Sequence, residues 1–318
     1  MQELYPYLKM RSVPEPEDGT LFFIPVITAQ LYHSLLLDQK LSHQDSQNRT
    51  STLVKEALTY VKTQFPYWNR TNGMDHFMVM PLDHGRCSSI AGLHREEFGD
   101  MFAVQPSGDH FLKDWVTQEW KCFQPGRDIV IPILTEARFT LDDMVKPWDS
   151  NRTIPLLYRF VGGGRGEYGV LRSRLLGKEQ ENPIEGSVAG WQSVDGTHED
   201  MKHSVFCVTP PGIAQHTLRV WRSIIFGCIP VTLFSANDLP FQAFSNLDYT
   251  KFSVNVHPTE WHLLQPIIRG LLSRPDRVKA MQNELAKVQD QFLWDSERFE
   301  GAFTATWNEL SMHPAQYL

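Results

Sequence analysis

A two-domain α/β fold with parallel sheets is predicted by three observations. Short apolar, strand-like runs alternate with helical stretches along the chain. The alternation breaks at a polar, proline-containing stretch, 142–153, and then restarts. The chain has 318 residues, 42 % of them hydrophobic, which is more than one core comfortably holds and suits two domains of roughly 150 residues.

The elements follow in order. Residues 21–26 (LFFIPV) read as a short buried strand and 29–37 as a helix. A polar segment covers 38–51, and a helix covers 52–64. Residues 75–81 (DHFMVMP) form a second strand that ends in a proline, 102–104 a third, and 128–132 a fourth, again closed by proline. After the break, 154–161 is a strand, 162–169 a glycine-rich loop, and 170–176 the start of a helix. The polar stretch 179–200 reads as loop. Residues 204–209 are a strand, 210–212 a Pro-Pro-Gly turn, and 214–226 a helix closed by Gly227. The next strand is 229–234, and 261–272, 275–293 and 296–310 are helical. The domains are therefore expected at 1–150 and 151–295, with 296–318 as a final helical segment.

Bulk properties exclude several classes. The net charge is −7 with no basic stripe, so a nucleic-acid partner is not expected. Four cysteines are present without a CxxC pair, so a zinc site is not expected. Cys207 and Cys228 sit in apolar runs and read as small buried hydrophobes. Cys87 and Cys122 lie in more polar surroundings and are candidates for a bridge in an oxidising compartment. No stretch approaches the roughly 18 apolar residues of a membrane span, and the N-terminus has no apolar signal core. Three sequons, at Asn48, Asn69 and Asn151, nevertheless suit a secretory lumen. The expectation that reconciles these facts is an anchor or signal lying upstream of Met1.

Two segments carry chemistry. Residues 164–169 match GxGxxG between a strand and a helix, the setting in which glycines let backbone approach a pyrophosphate. The acidic residue that a dinucleotide site wants about 20 residues later would fall in a stretch that is not strand-like. Arg165 and Arg172 beside this loop have the reach for a diphosphate, while Arg174 reads as part of a solvated helix face. The second segment, 201–241, runs strand, Pro-Gly turn, helix, strand, then Leu-Pro-Phe. The helix start near Gly212 offers unpaired N–H groups to a phosphate, at the carboxyl ends of two parallel strands.

This segment resembles the exostosin-like glycosyltransferases, glycosyltransferase family 47. The resemblance rests on S-x-F-C-x-x-P-x-G at 204–212, an arginine in the next helix, and GCIPV at 227–231 followed by LPF at 239–241. LFFIPV at 21–26, DHF at 75–77, DHGRC at 83–87, GRDIVIP at 126–132 and the segment 160–172 are similar to family motifs in the same order. The matches run from about residue 20 to 256, in a style closer to the plant and algal branch.

The resemblance implies a GT-B fold, two Rossmann-like domains facing across a cleft. The C-terminal domain would hold a UDP-sugar as co-substrate, the N-terminal one a glycan acceptor, and the last helix would cross back to the N-terminal domain. It implies an inverting transfer with no cofactor and no metal, in a Golgi lumen reached through an N-terminal anchor. A hetero-complex with a related glycosyltransferase is a further expectation. Arg165, Arg172, Gly212, Arg219, Arg222 and Asp238 are the donor-binding candidates, and Asp83 and His84 the candidates for the general base.

Three departures from the family pattern bear on activity. Ile213 stands for an aspartate, Leu218 for an arginine, and Arg222 for an acid that accepts from the donor ribose. Arginine is donor-only and does not replace that acceptor. Ser235 and Ala236 also stand where acids are common, and Asp238 is the nearby carboxylate that would compensate. An active transferase is thus one reading. A catalytically silent relative that binds glycan or supports a partner is a second, and a dinucleotide-dependent oxidoreductase a third.

Overall fold

The computed structural model describes residues 4–26, 28–82, 84–89, 95–110, 122–133, 139–163, 166–212, 215, 217–235, 238–295 and 297–317. The chain forms two compact units. Unit one gathers residues 1–136, 236–247 and 303–318, and unit two gathers 137–235 and 248–302. Each is α/β around a parallel sheet, so the two-domain α/β organisation expected from the sequence is present.

The sheet of unit one contains β1 (Phe22–Phe23), β2 (His76–Val79), β3 (Phe102–Gln105) and β4 (Ile129–Val130). All neighbours are parallel, in the order β1-β2-β3-β4. Strands β2 to β4 are buried along their whole length, which is why they read as unbroken apolar runs rather than alternating ones. Ile24, Met78, Met80 and Ala103 from the sheet pack with Val54, Leu58 and Trp68 into one core.

The helix that supplies Val54 and Leu58 runs His43–Gln64, nine residues longer at its start than the apolar period predicts. Ser42 caps it, with its hydroxyl accepting the Asp45 N–H at 3.1 Å and donating to the Asp45 carboxylate at 2.6 Å. The added turns bury Ser46, Thr50 and Ser51. Thr50 turns its hydroxyl onto the Ser46 carbonyl at 2.8 Å, so small polar residues fill an interior face that carries no apolar signal.

Unit two holds β5 (Ile154–Tyr158), β6 (Val188–Ala189), β7 (Ser204–Thr209), β8 (Ile229–Thr232) and β9 (Val254–Asn255). The order is β6-β5-β7-β8-β9, all parallel. Numbered within the unit, that is 2-1-3-4-5, the doubly wound order whose direction reverses between β5 and β7. Edge strand β6 and a helix, Val194–Lys202, fall in the stretch expected to be loop. Ser193 caps that helix through the Gly196 N–H, and only His198 and Met201 are buried, so its amphipathic signal is thin.

Both cysteine pairs are bridged, Cys87 to Cys122 and Cys207 to Cys228. The second corrects the expectation of two free buried hydrophobes. Cys207 is paired in register with Pro230 of the neighbouring strand, and Cys228 lies just before that strand. Their Cα atoms are 5.9 Å apart, within bridging range. Only the strand register reveals this proximity.

The polar break at 142–153 is not a loose linker. Arg152 is largely buried and donates to the carbonyls of Lys146, Pro147, Met201, Ser204 and Phe226. Burial lowers its pKa to about 10, so it stays charged at neutral pH. Gly227, at φ +70°, lies against this hub: a Cβ there would sit 2.5 Å from the Arg152 Nη2 and from the Val145 carbonyl.

Candidate functional site

In a doubly wound sheet the chain leaves neighbouring strands in opposite directions at the reversal point, and the carboxyl ends there border an open crevice. In unit two that point lies between β5 and β7. The turn after β5 contains Val161, Gly162 and Gly163, and the turn after β7 contains Pro210, Pro211 and Gly212.

Arg172, from the helix Gly166–Glu181, ties the two turns together. Its Nε donates to the Val161 carbonyl at 3.2 Å and its Nη2 to Gly163 at 2.9 Å. Its Nη1 donates to Pro211 at 2.8 Å and Gly212 at 3.4 Å. Its donors are therefore spent on carbonyls, while its charge stays at the crevice. Among the described residues, a Cβ on Gly212 would meet nothing within 4 Å.

Arg219 enters from the next helix, Leu218–Ile225, which Thr217 caps. Its Nε donates to the Arg159 carbonyl at 3.1 Å. Burial first, and the charge of Arg172 second, hold its pKa below the ordinary arginine value. Among the described residues no carboxylate offsets this pair. Arg159 differs: its Nε meets the Asp200 carboxylate at 2.6 Å, and nothing in its sequence context marks it out. Arg222 lies one turn beyond Arg219, and burial lowers its pKa as well.

Along the same edge, Ser235 follows β8 and is joined to the turn after β7. Its N–H and hydroxyl both donate to the buried Gln215 Oε1, at 2.8 and 3.1 Å. Beside it is a cavity of about 420 Å³, bordered by Glu167, Tyr168, Arg174, Ser235, His257 and Trp261. That volume suits a small ligand, and the wall offers aromatic faces together with a hydroxyl and a carboxylate. Arg174, expected on a solvated face, stands 6.0 Å from the Trp261 ring centroid. A wider hollow of about 1010 Å³, bordered by Lys146, Lys251, Val254 and Arg277, adjoins the amino end of β9 and so lies off the ligand-binding edge.

Asp83 and Arg165 lie outside the described residues. His84 is only 8 % exposed, in the turn after β2, where its carbonyl accepts the Cys87 N–H at 3.1 Å. The segment around it is braced by the Cys87–Cys122 bridge and by a buried ion pair between Arg86 and Asp128. Asp128 also accepts the N–H groups of Ala103 and Gln124, each at 2.8 Å. Burial raises its pKa, and Arg86 opposes that shift. Asp238 belongs to unit one, where its carboxylate meets His110 Nε2 at 3.0 Å. Among the described residues no three His, Cys, Asp or Glu side chains cluster as metal ligands.

The arginine pair and cavity occupy a sequence with known relatives. The chain matches the Exostosin GT47 domain over residues 2–271. It is 28 % identical over 200 residues to a probable glucuronosyltransferase of Oryza sativa subsp. japonica, covering 61 % of this chain and 46 % of that protein. It is 25 % identical over 235 residues to a probable β-1,4-xylosyltransferase of Arabidopsis thaliana, covering 71 % of this chain and 53 % of that one. The chain thus spans about half the length of the curated relatives it matches. Among solved structures it is similar to the Anabaena protein HepE in complex with UDP and glucose, at a TM-score of 0.40 and 9 % identity, covering 88 % of this chain and 84 % of that one. The domain match reaches from the N-terminal segment through both parallel sheets, and on that extent the chain belongs to the exostosin GT47 family.

Proposed function

We propose that the chain is an inverting glycosyltransferase that moves a sugar from a UDP-sugar to a polysaccharide or glycan acceptor. The observation that carries this reading is the arginine pair at the reversal point of unit two. Two guanidinium groups that raise each other's electrostatic cost, with no carboxylate between them, form a site completed by an anion. A diphosphate there would lie against Arg219, Gly212 and the start of the helix Leu218–Ile225. The nucleoside would extend toward the cavity beside Trp261 and Tyr168. As the C1–O bond to the diphosphate breaks, the cations stabilise the departing charge, which is where such groups speed transfer. Arg172 acts mainly by holding the two turns in register.

A secretory lumen, the Golgi in this reading, fits two disulfides and three exposed sequon asparagines. A second reading, the catalytically silent relative, is favoured by Arg222 standing in place of the ribose-binding acid.

A UDP-sugar screen by thermal shift, followed by turnover assays, tests the proposal. A ligand at a hundredfold its Kd adds about 2.7 kcal/mol of stability. Arg219→Ala should weaken UDP binding by roughly 10- to 100-fold, the worth of a charge-assisted hydrogen bond. UDP binding without turnover on any acceptor would favour the silent relative. A folded chain that no UDP-sugar stabilises would overturn the donor site.

A further inference from the structure

We propose that Glu167 is the hydrogen-bond acceptor for the ribose diol of the donor nucleotide, and that it makes the site select ribonucleoside diphosphates over their deoxy counterparts. The inference deepens the glycosyltransferase reading above and rests on it. Every residue it uses belongs to unit two.

One helix, Gly166–Glu181 after β5, serves both parts of the donor site. Glu167, Leu171 and Arg174 are spaced i, i+4, i+7 and so share a face, and all three border the cavity of about 420 Å³. Arg172 leaves the neighbouring face and binds the turns after β5 and β7 at the crevice. Glu167 stands in the first turn of the helix, the end nearest the turn after β5. A nucleotide with its diphosphate at the crevice and its base against Trp261 carries its ribose between the two, past this first turn.

A ribose diol presents two O–H donors, and the two oxygens of a carboxylate accept both. Glu167 is the one carboxylate among the described residues that border the cavity. It is exposed, and among the described residues it makes no hydrogen bond and no ion pair. The other polar groups of the wall serve a diol less well. The Ser235 hydroxyl donates to Gln215, Arg174 has only donors, and His257 Nδ1 already accepts the Thr259 N–H at 3.4 Å. An acceptor supplied from this helix also makes good the donor-only side chain at position 222.

Selectivity follows from the same contact. A site built to bond the two hydroxyls rejects a ligand that lacks them, because the bound ligand then covers the carboxylate without giving it a partner. A glutamate in a first helical turn also complements the helix dipole, but that role is indifferent to the sugar of the nucleotide.

The test is calorimetric titration of the full chain with UDP and with 2′,3′-dideoxy-UDP. Wild type should bind UDP about 10- to 100-fold more tightly than the dideoxy analogue, the worth of hydrogen bonds to a charged group. Glu167→Ala should weaken UDP by that same factor and leave the analogue unchanged, so that the discrimination disappears. Glu167→Gln keeps the shape and one neutral acceptor, and its discrimination should fall between the two. A glutamate that serves only the helix would, on substitution, weaken both ligands equally or neither, and either result overturns the proposal. A wild type that binds UDP and the analogue alike overturns it too. In each of those cases Arg219→Ala still weakens UDP, and the donor site stands. If Glu167→Ala fails to fold, judged by urea unfolding, the ratio of the two affinities in Glu167→Gln decides. A wild type that binds no UDP removes this inference together with the reading beneath it.

Discussion

Two arginines at one crevice have different jobs, and substitution separates them. Arg172 spends its donors on four carbonyls from two turns, whereas Arg219 uses Nε on one. Arg172→Ala should therefore lose both folding stability and UDP affinity, each by about 1.5–3 kcal/mol. Arg219→Ala should lose affinity alone, and its stability should hold or rise slightly, since it relieves repulsion from Arg172. Urea unfolding and calorimetric titration of both variants measure this. Equal stability losses in the two would contradict the division. The sequence showed an arginine near each turn but not the staple, because the staple is made of backbone carbonyls whose positions depend on the fold. Asp238 illustrates the same limit from the other side: it was legible as a carboxylate close to the donor strand, yet the chain carries it into the other unit.

At the scale of elements, the link between β7 and β8 is covalent as well as hydrogen-bonded. The Cys207–Cys228 bridge closes a loop across the donor turn, with a sequence separation of 21 residues. Replacing both cysteines with alanine should cost about 3 kcal/mol, as loop-closure entropy predicts for that span, read from urea unfolding with a steeper slope, because the unfolded chain loses its cross-link and exposes more surface. Gly227, one residue earlier, should also be intolerant of substitution. An alanine there meets positive φ, the Arg152 guanidinium and the Val145 carbonyl together, so a loss of at least about 2 kcal/mol is expected. Strands β5, β7 and β8 and the closing role of Gly227 were legible because apolar runs bounded by Pro and Gly are local signals. Strand β6, the helix Val194–Lys202 and the early turns of the helix His43–Gln64 were not. Their stability comes from a sheet edge, a cap or buried serines and threonines, none of which leaves an apolar period.

For the whole molecule, the notable fact is that unit one is closed by three separated stretches of chain. The last of them docks through two buried titratable side chains. Glu309 accepts the N–H groups of Phe244 and Ser245, at 3.2 and 2.7 Å, so the final helix holds the 236–247 excursion in place. His313 stacks on Phe102 of β3 at 3.8 Å, donates from Nε2 to the Arg127 carbonyl at 2.8 Å, and accepts the Ala315 N–H on Nδ1 at 3.1 Å. Both of its nitrogens are thus committed in the neutral form, and burial lowers its pKa from 6.5 to about 4. A base whose pKa is depressed by folding binds fewer protons in the folded state. Its contribution is therefore complete above pH 6.5 and is lost as the pH falls toward about 4, a window worth about 3 kcal/mol. Glu309 has the opposite sign, because burial raises its pKa and acid relieves it. The overall profile mixes the two, so the informative quantity is a difference. His313→Gln should be less stable than wild type at pH 7, through loss of the stack on Phe102. The gap should narrow steadily between pH 6.5 and 4, as wild type alone loses the histidine contribution. Urea unfolding of both proteins at several pH values measures it, and curves that stay parallel across that window would mean that His313 is not what ties the end of the chain to β3.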